Sequence, residues 1–376
     1  MRLIGGKVFD PELGFVEKEL CFVDGQVSDC GGSCCCDETY DASGCWVIPG
    51  LTDVHFHGCK GHDFSDGDAE GLAVMAEYEL SRGVTQICPA GMTLLEDDLL
   101  KVCRNAAEHR KSGKGGAELV GVHLEGPFLS YAKRGAQNGA WLHAPDVDMF
   151  HRLVDAAEGL VKIVSLAPEE PGAMDFVRAV KDEVTVSLAH TTANYDIASE
   201  ALALGARHVT HLFNAMPAFA HRDPGVVGAA LDDEKTRVEL ICDGIHIHPG
   251  MVRAVFKMFG KDRVVLISDT MRAAGMPDGD YTLGGQAVKV TGKLAALEDG
   301  TIAGSATDLM GCLKTAVSFG IPLADAVTAA AVNSAKAIGV YDRFGSFDCG
   351  KVANAVVLDA DLNVKDVFFR GQRVEL

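Results

Sequence analysis

Strand-like and helix-like segments alternate through the middle of the chain, and this alternation limits its fold more than any other feature. Short apolar stretches rich in β-branched residues are separated by amphipathic stretches, a pattern typical of parallel sheets. The predicted strands are 47–57, 83–90, 118–125, 161–168, 184–190, 207–213, 236–243 and 263–269. The predicted helices include 69–82, 97–112, 174–182, 196–204 and 249–259. Because eight such units close a (β/α)8 TIM-type barrel, we expect an α/β fold with this barrel over residues 51–345.

The two ends of the chain have a different pattern, with short alternating runs broken by Gly, Asp and Pro. Examples are residues 19–25 near the start and residues 355–359 and 366–371 near the end. Neither end has enough strands to be stable alone, so we expect one small β-sandwich domain built from both termini. Its predicted bounds are residues 1–50 and 346–376. A Gly-rich, hairpin-like insertion is predicted near 276–303, followed by a largely helical region to about 340.

The overall charge limits the partners that the chain can have. Its 34 Lys and Arg against 53 Asp and Glu give a net charge of −19, which disfavours nucleic acid and anionic lipid. No apolar run approaches the roughly 18 residues of a membrane helix, and residues 1–6 carry no export signal. We therefore expect a cytoplasmic protein in which any site for an anionic substrate is assembled from a few local cations and backbone N–H groups.

The 12 cysteines are expected to be reduced thiols, because nothing in the sequence directs the chain to an oxidising compartment. Cys30, Cys34, Cys35, Cys36 and Cys45 lie close together in the sequence. A zinc site normally has a second pair of cysteines at a distance, which this cluster lacks. The cluster is therefore either a metal site or a variable surface strand or turn.

Residues able to bind a metal stand where the predicted strands end, which in such barrels is where active sites form. His55 and His57 end the first strand and, being two residues apart, point to the same face. His123 and Glu125 have the same spacing at the end of the third strand. We expect the carboxylate of Glu125 to be able to bridge two cations.

Further candidates end the later strands. His190 and His211 stand at matching ends of the fifth and sixth strands, and Asp269 ends the eighth. Imidazole and carboxylate ligands suit zinc or another first-row divalent ion. The additional carboxylate of Asp269 suits a general base, although an N-cap is the alternative. The set predicts metal-assisted hydrolysis of a C–N bond.

Several motifs, in this order, resemble the N-acetylglucosamine-6-phosphate deacetylase family of the amidohydrolase superfamily. They are PGLTDVHFHG, HLEGPF, SLAHT, VTHLFNAM, DGIHI, SDT, AAGMPDGDYTLGG, AGSATDL and NSAKAIGV, and they extend from about residue 48 to the end. VTHLFNAMP with the downstream Arg-Asp-Pro-Gly is the most specific, since it joins a metal-binding His to a phosphate site. The resemblance implies a metal-dependent enzyme that releases acetate and glucosamine 6-phosphate in amino-sugar catabolism.

The resemblance also implies roles for individual residues. Glu125, His190 and His211 form the main metal site, and His55 and His57 add a second ion that shares Glu125. One or two divalent ions per subunit are therefore expected, with zinc as the metal and iron or manganese as alternatives. Asp269 takes a proton from the attacking water and gives it to the leaving amine.

The substrate contacts follow in the same way. The resemblance assigns phosphate binding to Asn214 and the backbone of Ala215, and substrate binding to His246. It places Arg222 in the site of a neighbouring subunit, which implies a homodimer. A phosphate held by an Arg and backbone donors also fits a protein of charge −19.

Two positions depart from the family pattern. Gln137, after Ala136, stands in a substrate-binding loop where the family has a His. Gln can donate a hydrogen bond to a carbonyl oxygen, but never as a cation, and loss of a good transition-state donor costs about 10²–10³ in rate. Arg272 follows Asp269 where small residues are common, and it either contacts an anion or fills the pocket.

Three alternatives stay open at this point. The substrate is either the glucosamine or the galactosamine isomer; the chain is another amidohydrolase acting on an N-acyl amino acid or a cyclic amide; or it is a weakly active homologue that binds sugar phosphate. Phosphate dependence separates the first from the second. The fourth strand carries no Lys at its end, around Glu169, which favours a Glu125-type centre over one bridged by a modified Lys.

Overall fold

The computed structural model describes residues 1–29 and 38–375. Its strands are β1 (Arg2–Ile4), β2 (Lys7–Asp10), β3 (Gly14–Glu17), β4 (Leu20–Val23), β5 (Gln26–Ser28), β6 (Thr39–Asp41), β7 (Trp46–Pro49), β8 (Leu51–Asp53), β9 (Gly58–Cys59), β10 (His62–Asp63), β11 (Val84–Ile87), β12 (Ala90–Gly91), β13 (Glu118–Leu119), β14 (Val122–Leu124), β15 (Val161–Leu166), β16 (Thr185–Leu188), β17 (His208–Val209), β18 (Arg237–Ile241), β19 (Val264–Ile267), β20 (Gly279–Leu283), β21 (Gln286–Thr291), β22 (Leu294–Ala296), β23 (Ala355–Leu358), β24 (Val364–Phe369) and β25 (Gln372–Arg373).

The helices of the same residues are α1 (Ala69–Ser81), α2 (Glu96–Ser112), α3 (Val147–Ala156), α4 (Ala173–Val180), α5 (Tyr195–Leu204), α6 (Gly225–Asp232), α7 (Pro249–Phe259), α8 (Leu309–Ser318), α9 (Leu323–Val327) and α10 (Asn333–Ala337). A π-helical turn, Thr328–Val332, joins α9 to α10. Short 3-10 turns cover Phe64–Asp66, Tyr131–Lys133 and Gly139–Trp141.

Parallel strands form the barrel in the order in which they occur in the chain. One sheet runs β12-β14-β15-β16-β17-β18-β19 and a second runs β13-β11-β8. β11 and β12 are the two halves of the second predicted strand, interrupted before Ala90, and β13 and β14 are halves of the third. Beyond β19, the backbone N–H of Asp269 donates to the carbonyl of His55 at 2.9 Å, which links the last strand to the first. The predicted TIM-type barrel is thus confirmed.

The predicted helices lie within two residues of their observed bounds, and local capping explains where several of them begin. The carboxylate of Asp68 accepts from the N–H groups of Glu70 and Gly71, which starts α1. The side chain of Asn194 accepts from Ile197 N in the same way before α5. α2 ends at Gly113, which has a φ of 61° that a residue with a side chain rarely adopts. α3 and α6 supply helices in the two intervals where none was predicted.

The strands from the two ends of the chain meet in two sheets, which we call the terminal β unit. Its six-stranded sheet runs β25-β24-β23-β7-β2-β3, and its four-stranded sheet runs β5-β4-β1-β6. β7 pairs in parallel with β2 and antiparallel with β23, so strands from both ends are neighbours. The division into a separate domain of residues 1–50 and 346–376 stays a prediction.

The six-stranded sheet is buried on both faces. Val8 and Val47 belong to a buried cluster that also contains residues of the four-stranded sheet, such as Phe22. The alternate residues Phe9 and Ile48 belong instead to the large cluster that fills the space between barrel strands and helices. Because successive side chains of a strand point to opposite faces, one sheet covers two cores. The terminal β unit is therefore continuous with the barrel.

The predicted insertion forms a three-stranded antiparallel sheet of β20, β21 and β22. The Gln286 amide donates to the carbonyl of Ala136 at 2.6 Å, which ties the insertion to a loop of the barrel. Arg272 Nε donates to Thr282 O at 2.9 Å, and its Nη2 lies 3.0 Å from the Asp66 carboxylate. Arg272 therefore holds the insertion in place instead of serving either role expected of it in the pocket.

The eight cysteines of the described residues are free thiols, as expected. Cys45 is buried. Cys30, Cys34, Cys35 and Cys36 lie outside the described residues. Across residues 1–29 and 38–375, every helix is too short or too polar to cross a membrane.

Candidate metal centre and active site

Five predicted ligands meet at the carboxyl ends of the barrel strands. His55 and His57 follow β8, and Glu125 follows β14. His190 follows β16, and His211 follows β17. All five residues are nearly inaccessible to solvent, with exposed fractions between 0% and 6%. We call these residues the metal cluster.

One half of the metal cluster is centred on a single carboxylate oxygen. Glu125 Oε1 lies 3.2 Å from His190 Nε2 and 3.0 Å from His211 Nε2. The two imidazole nitrogens are 3.1 Å apart. Three ligand atoms so close together form a group able to hold a metal ion.

The other half shares the same carboxylate. His55 Nε2 lies 3.4 Å from Glu125 Oε1, and His57 Nε2 lies 3.4 Å from Glu125 Oε2. The same two nitrogens lie 3.5 Å and 3.2 Å from Asp269 Oδ1. The residues that suit two ions are therefore adjacent, and Asp269 stands at the side of His55 and His57.

Backbone carbonyls fix the orientation of two of the histidines. His57 Nδ1 lies 3.1 Å from Ala90 O, and His190 Nδ1 lies 2.8 Å from Lys133 O. A carbonyl can only accept, so each Nδ1 carries the proton and each Nε2 presents its lone pair to the cluster. Such partners are a regular feature of metal-binding histidines.

A carboxylate does the same for His55. Its Nδ1 lies 2.9 Å from Glu239 Oε2. Its Nε2 is fully buried and has no hydrogen-bond partner among the described residues. A buried nitrogen without a partner is costly, and a cation is a partner that its lone pair can bind. The residues present therefore fit a divalent metal ion.

The carboxylates of this centre carry their charge in spite of burial. Burial alone would raise the pKa of Asp269, but the neighbouring imidazoles of His55 and His57 lower it to about 2. The pKa of Glu125 is held well below its ordinary value, because His55, His190 and His211 outweigh the same effect of burial. Asp269 is thus available as a proton acceptor.

His123 is part of the barrel interior and not of the metal cluster. Its Nε2 lies 2.8 Å from Ser165 Oγ, and its Nδ1 lies 3.2 Å from Val54 O. Burial and the neighbouring His55 lower its pKa to about 3, so it is neutral. With both nitrogens already paired, it has no lone pair to offer an ion.

The backbone is strained where the strands meet the site. His190, His211, Ala215 and Asp269 have φ angles of 43°, 28°, 51° and 49°. Residues with a Cβ rarely adopt such angles, and they cost on the order of 1–3 kcal/mol each. The strained residues are therefore ones whose side chains or N–H groups line the active-site cavity.

The site opens into a cavity of about 490 Å³. Lys133 and Arg134 line it, as do Asn214 and Ala215, so two cationic residues are available in the cavity for an anionic ligand of a protein of charge −19. The other predicted site residues that line it are His57, Glu125, Ala136, Gln137, His190, His211, His246 and Asp269.

Gln137 has a firmly assigned orientation. Its Oε1 accepts from Thr93 N at 2.7 Å, so its Nε2 must be the atom that donates to Glu125 Oε2 at 2.7 Å. One amide hydrogen is therefore used on the metal cluster. Gln137 supports Glu125, a contact that the sequence did not predict.

His246 is paired with a buried carboxylate. Its Nδ1 lies 2.7 Å from Asp243 Oδ2, and Asp243 Oδ1 accepts from the backbone N–H groups of Ile245 and His246. Burial lowers the pKa of His246, but the hydrogen bond and charge of Asp243 more than offset this and raise it. Asp243 therefore favours a cationic His246 in the cavity wall.

Arg222 is a predicted site residue that lies away from the other site residues of the same chain. It is exposed and does not line the cavity of its own chain. This position is compatible with the predicted role in a neighbouring subunit. The role itself stays a prediction.

Sequence reasoning missed several residues of the site. Glu239 had a signal, because a single acidic residue within the apolar strand Val238–Ile241 must have a buried partner. Leu283, Thr301 and Ile302 line the cavity from the insertion. Nothing local marks these three, since their place depends on how the insertion packs against the barrel.

Known proteins resemble this chain in sequence and fold. Residues 46–374 match the amidohydrolase family. The N-acetylglucosamine-6-phosphate deacetylase of Bacillus subtilis is 39% identical over 330 residues, covering 86% of this chain and 83% of the relative. The N-acetylgalactosamine-6-phosphate deacetylase of Escherichia coli is 33% identical and covers 87% of each chain.

A solved structure agrees with these relatives. A mutant N-acetyl-D-glucosamine-6-phosphate deacetylase from Mycobacterium smegmatis, in complex with N-acetyl-D-glucosamine-6-phosphate, superposes with a TM-score of 0.93. It is 32% identical, with 99% of this chain and 98% of that chain covered. Fold and site together define a barrel hydrolase with a metal centre, and the chain belongs to the amidohydrolase family. Its relatives within that family are the amino-sugar-phosphate deacetylases just described.

Proposed function

We propose that this enzyme hydrolyses the acetyl amide of N-acetylglucosamine 6-phosphate, giving glucosamine 6-phosphate and acetate in amino-sugar catabolism. The observation that carries the proposal is the meeting of a complete metal cluster, a charged Asp269 and two cations in one cavity. The deacetylases to which the chain is similar support the choice of amide and of sugar phosphate.

Metal binding falls to Glu125, His190 and His211, with His55 and His57 holding a second ion. A divalent ion in such a centre supplies a Lewis acid that activates water and polarises the amide carbonyl. Zinc suits this set of imidazole and carboxylate ligands, and iron or manganese are the alternatives.

Proton transfer falls to Asp269. Its carboxylate lies 3.5 Å from His55 Nε2 and 3.2 Å from His57 Nε2, where it can accept the proton of the attacking water, and the proton then passes to the leaving amine. Gln137 holds Glu125, and the loop with Ala136 forms the wall next to the reacting amide.

Other residues that line the same cavity hold the sugar phosphate. Asn214, the backbone of Ala215 and the cations Lys133 and Arg134 supply donors for the phosphate, and His246 supplies a donor for the sugar. We also propose a homodimer in which Arg222 completes the phosphate site of the other subunit. A β-sandwich domain from both termini and a cytoplasmic location stay predictions.

Acetate release tests the assignment. Purified protein with zinc, iron(II) or manganese is given N-acetylglucosamine 6-phosphate, the galactosamine isomer or unphosphorylated N-acetylglucosamine. Fast release from the first substrate alone supports the proposal, and a preference for the second assigns the isomer. Release that does not depend on phosphate, or none from metal-loaded protein, would refute the sugar-phosphate assignment.

A further inference from the structure

Glu239 is a buried carboxylate directly beneath the metal cluster. It lies on β18, its exposed fraction is 0%, and it does not line the cavity. It therefore touches neither substrate nor the reacting atoms. It nevertheless lies below two of the candidate metal ligands, His55 and His211, and contacts both.

A single oxygen of Glu239 makes the contacts. Oε2 lies 2.9 Å from His55 Nδ1 and accepts from the backbone N–H of His211 at 3.1 Å. Oε1 has no hydrogen-bond partner among the described residues and lies 3.6 Å from His208 Nδ1. The hydrogen bond to Nδ1 selects the tautomer of His55 in which Nε2 has the free lone pair.

His55 differs from the other histidines of the cluster in this respect. His57 and His190 are held by backbone carbonyls. His55 is held by a carboxylate, which makes its Nε2 a stronger electron donor than a carbonyl partner does. Without Glu239, the His55 ring could turn or change tautomer, and an N–H would then face Glu125 and Asp269.

We propose that Glu239 is a positioning residue that secures the second ion of the centre, the one held by His55 and His57 with Glu125. The contact to His55 carries this effect. Glu239 contacts only the backbone N–H of His211 and not its ring. The ion held by Glu125, His190 and His211 therefore depends on Glu239 far less. The proposal rests on the metal centre above and is independent of which amide is hydrolysed.

Zinc binding without substrate tests the proposal. Metal-free protein is titrated with Zn²⁺ against a chromophoric chelator, and bound zinc is counted by mass spectrometry. Wild type binds two ions per chain. In Glu239→Ala one ion keeps its affinity and the other is weakened about 100-fold, and in Glu239→Gln, which keeps an acceptor, by about 10-fold. Glu79→Gln, the same change at an equally buried glutamate of α1, leaves both affinities unchanged.

The same measurement in the His57→Ala variant shows which of the two ions depends on Glu239. In His57→Ala the second ion is already lost, so adding Glu239→Ala leaves the affinity of the remaining ion unchanged. A further loss there would show that Glu239 acts through His211, and the proposal would be wrong. Equal weakening of both ions, no weakening in either variant, or a single ion in wild type would also overturn it. Should Glu239→Ala not fold, as seen by circular dichroism, Glu239→Gln carries the same test.

Discussion

The interior of the barrel beneath the metal cluster and the interior of the terminal β unit are equally buried and chemically opposite. In the barrel, His123 contacts Ser165, Ser165 contacts Thr210, and Thr210 contacts Ser187, at 2.8, 3.0 and 2.6 Å. In the terminal β unit most buried side chains are apolar, although Asp366 is also buried there and accepts from the Tyr40 hydroxyl. The apolar side chains are Leu3, Val8, Leu20, Phe22, Val27, Ala42, Cys45, Val47, Phe347, Ala353, Ala355, Val357 and Phe368.

The difference shows two uses of burial in one chain. Apolar side chains stabilise by leaving water, at about 25 cal/mol per Å². Buried polar groups stabilise little in net terms, but each must keep its partner, so a network of them fixes geometry. We expect changes in the terminal β unit to lower stability and changes around the metal cluster to lower activity or metal affinity.

The largest effect is expected from Asp269→Asn. The amide cannot accept the proton of the attacking water, so kcat should fall by about 10²–10⁴-fold. Steady-state acetate release measures the loss, and circular dichroism of the same variant shows whether it is folded. Activity within a few-fold of wild type would remove Asp269 from the proposed mechanism.

The terminal β unit should respond in the opposite way. Phe368 is fully buried against Phe22 and Tyr40, so Phe368→Ala should lower the free energy of unfolding by about 3–5 kcal/mol. Where the variant is folded, its kcat should equal that of wild type. Phe219→Ala, at a partly exposed phenylalanine, is the control for stability and should change it by less than about 1 kcal/mol. A matching fall in kcat for Phe368→Ala would break the comparison.

Gln137→Ala tests the same comparison at the metal cluster. The change removes the hydrogen bond to Glu125 and should weaken zinc binding by about 10–100-fold. Chelator competition measures this, and Gln286→Ala, which loses a bond to Ala136 on the same wall, serves as the control. If zinc affinity is unchanged, Gln137 does not support the cluster.

The smallest effect is a dependence on pH at His246. Its pKa is raised in the folded protein, so its charged form stabilises the fold fully below the ordinary value of 6.5, and this contribution is lost as pH rises through the folded pKa. The gap in unfolding free energy between wild type and His246→Gln should therefore narrow as pH rises above about 6.5. A gap that stays constant over this range contradicts a charged His246.

Much of the fold follows from local patterns. Strands and helices could be predicted because the barrel buries each strand on both faces, which makes continuous apolar runs, and because residues such as Asp68 and Asn194 cap the helices that follow. The ligands could be predicted since parallel strands bring their carboxyl ends together.

Contacts between residues that are far apart in the sequence could not be predicted. Glu239 reaches His55 over 184 residues, and Arg272 reaches Asp66 over 206. Such partners depend on the depth of a strand in the barrel and on how the insertion lies over its mouth. The orientation of Gln137 likewise depends on Thr93, which no local spacing connects to it.

The pairing of β7 with β23 also determines when the molecule can finish folding. Residues 46–49 must wait for residues 355–358, so the six-stranded sheet cannot form until nearly the whole chain has left the ribosome. Until then β7 has no partner on the edge that β23 later occupies, and a nascent chain stalled before β23 leaves the N–H and C=O groups of that edge open to chaperones or to other chains. The barrel strands are complete much earlier, so we expect the joining of the two ends to be the slow and aggregation-prone step in the synthesis of this enzyme.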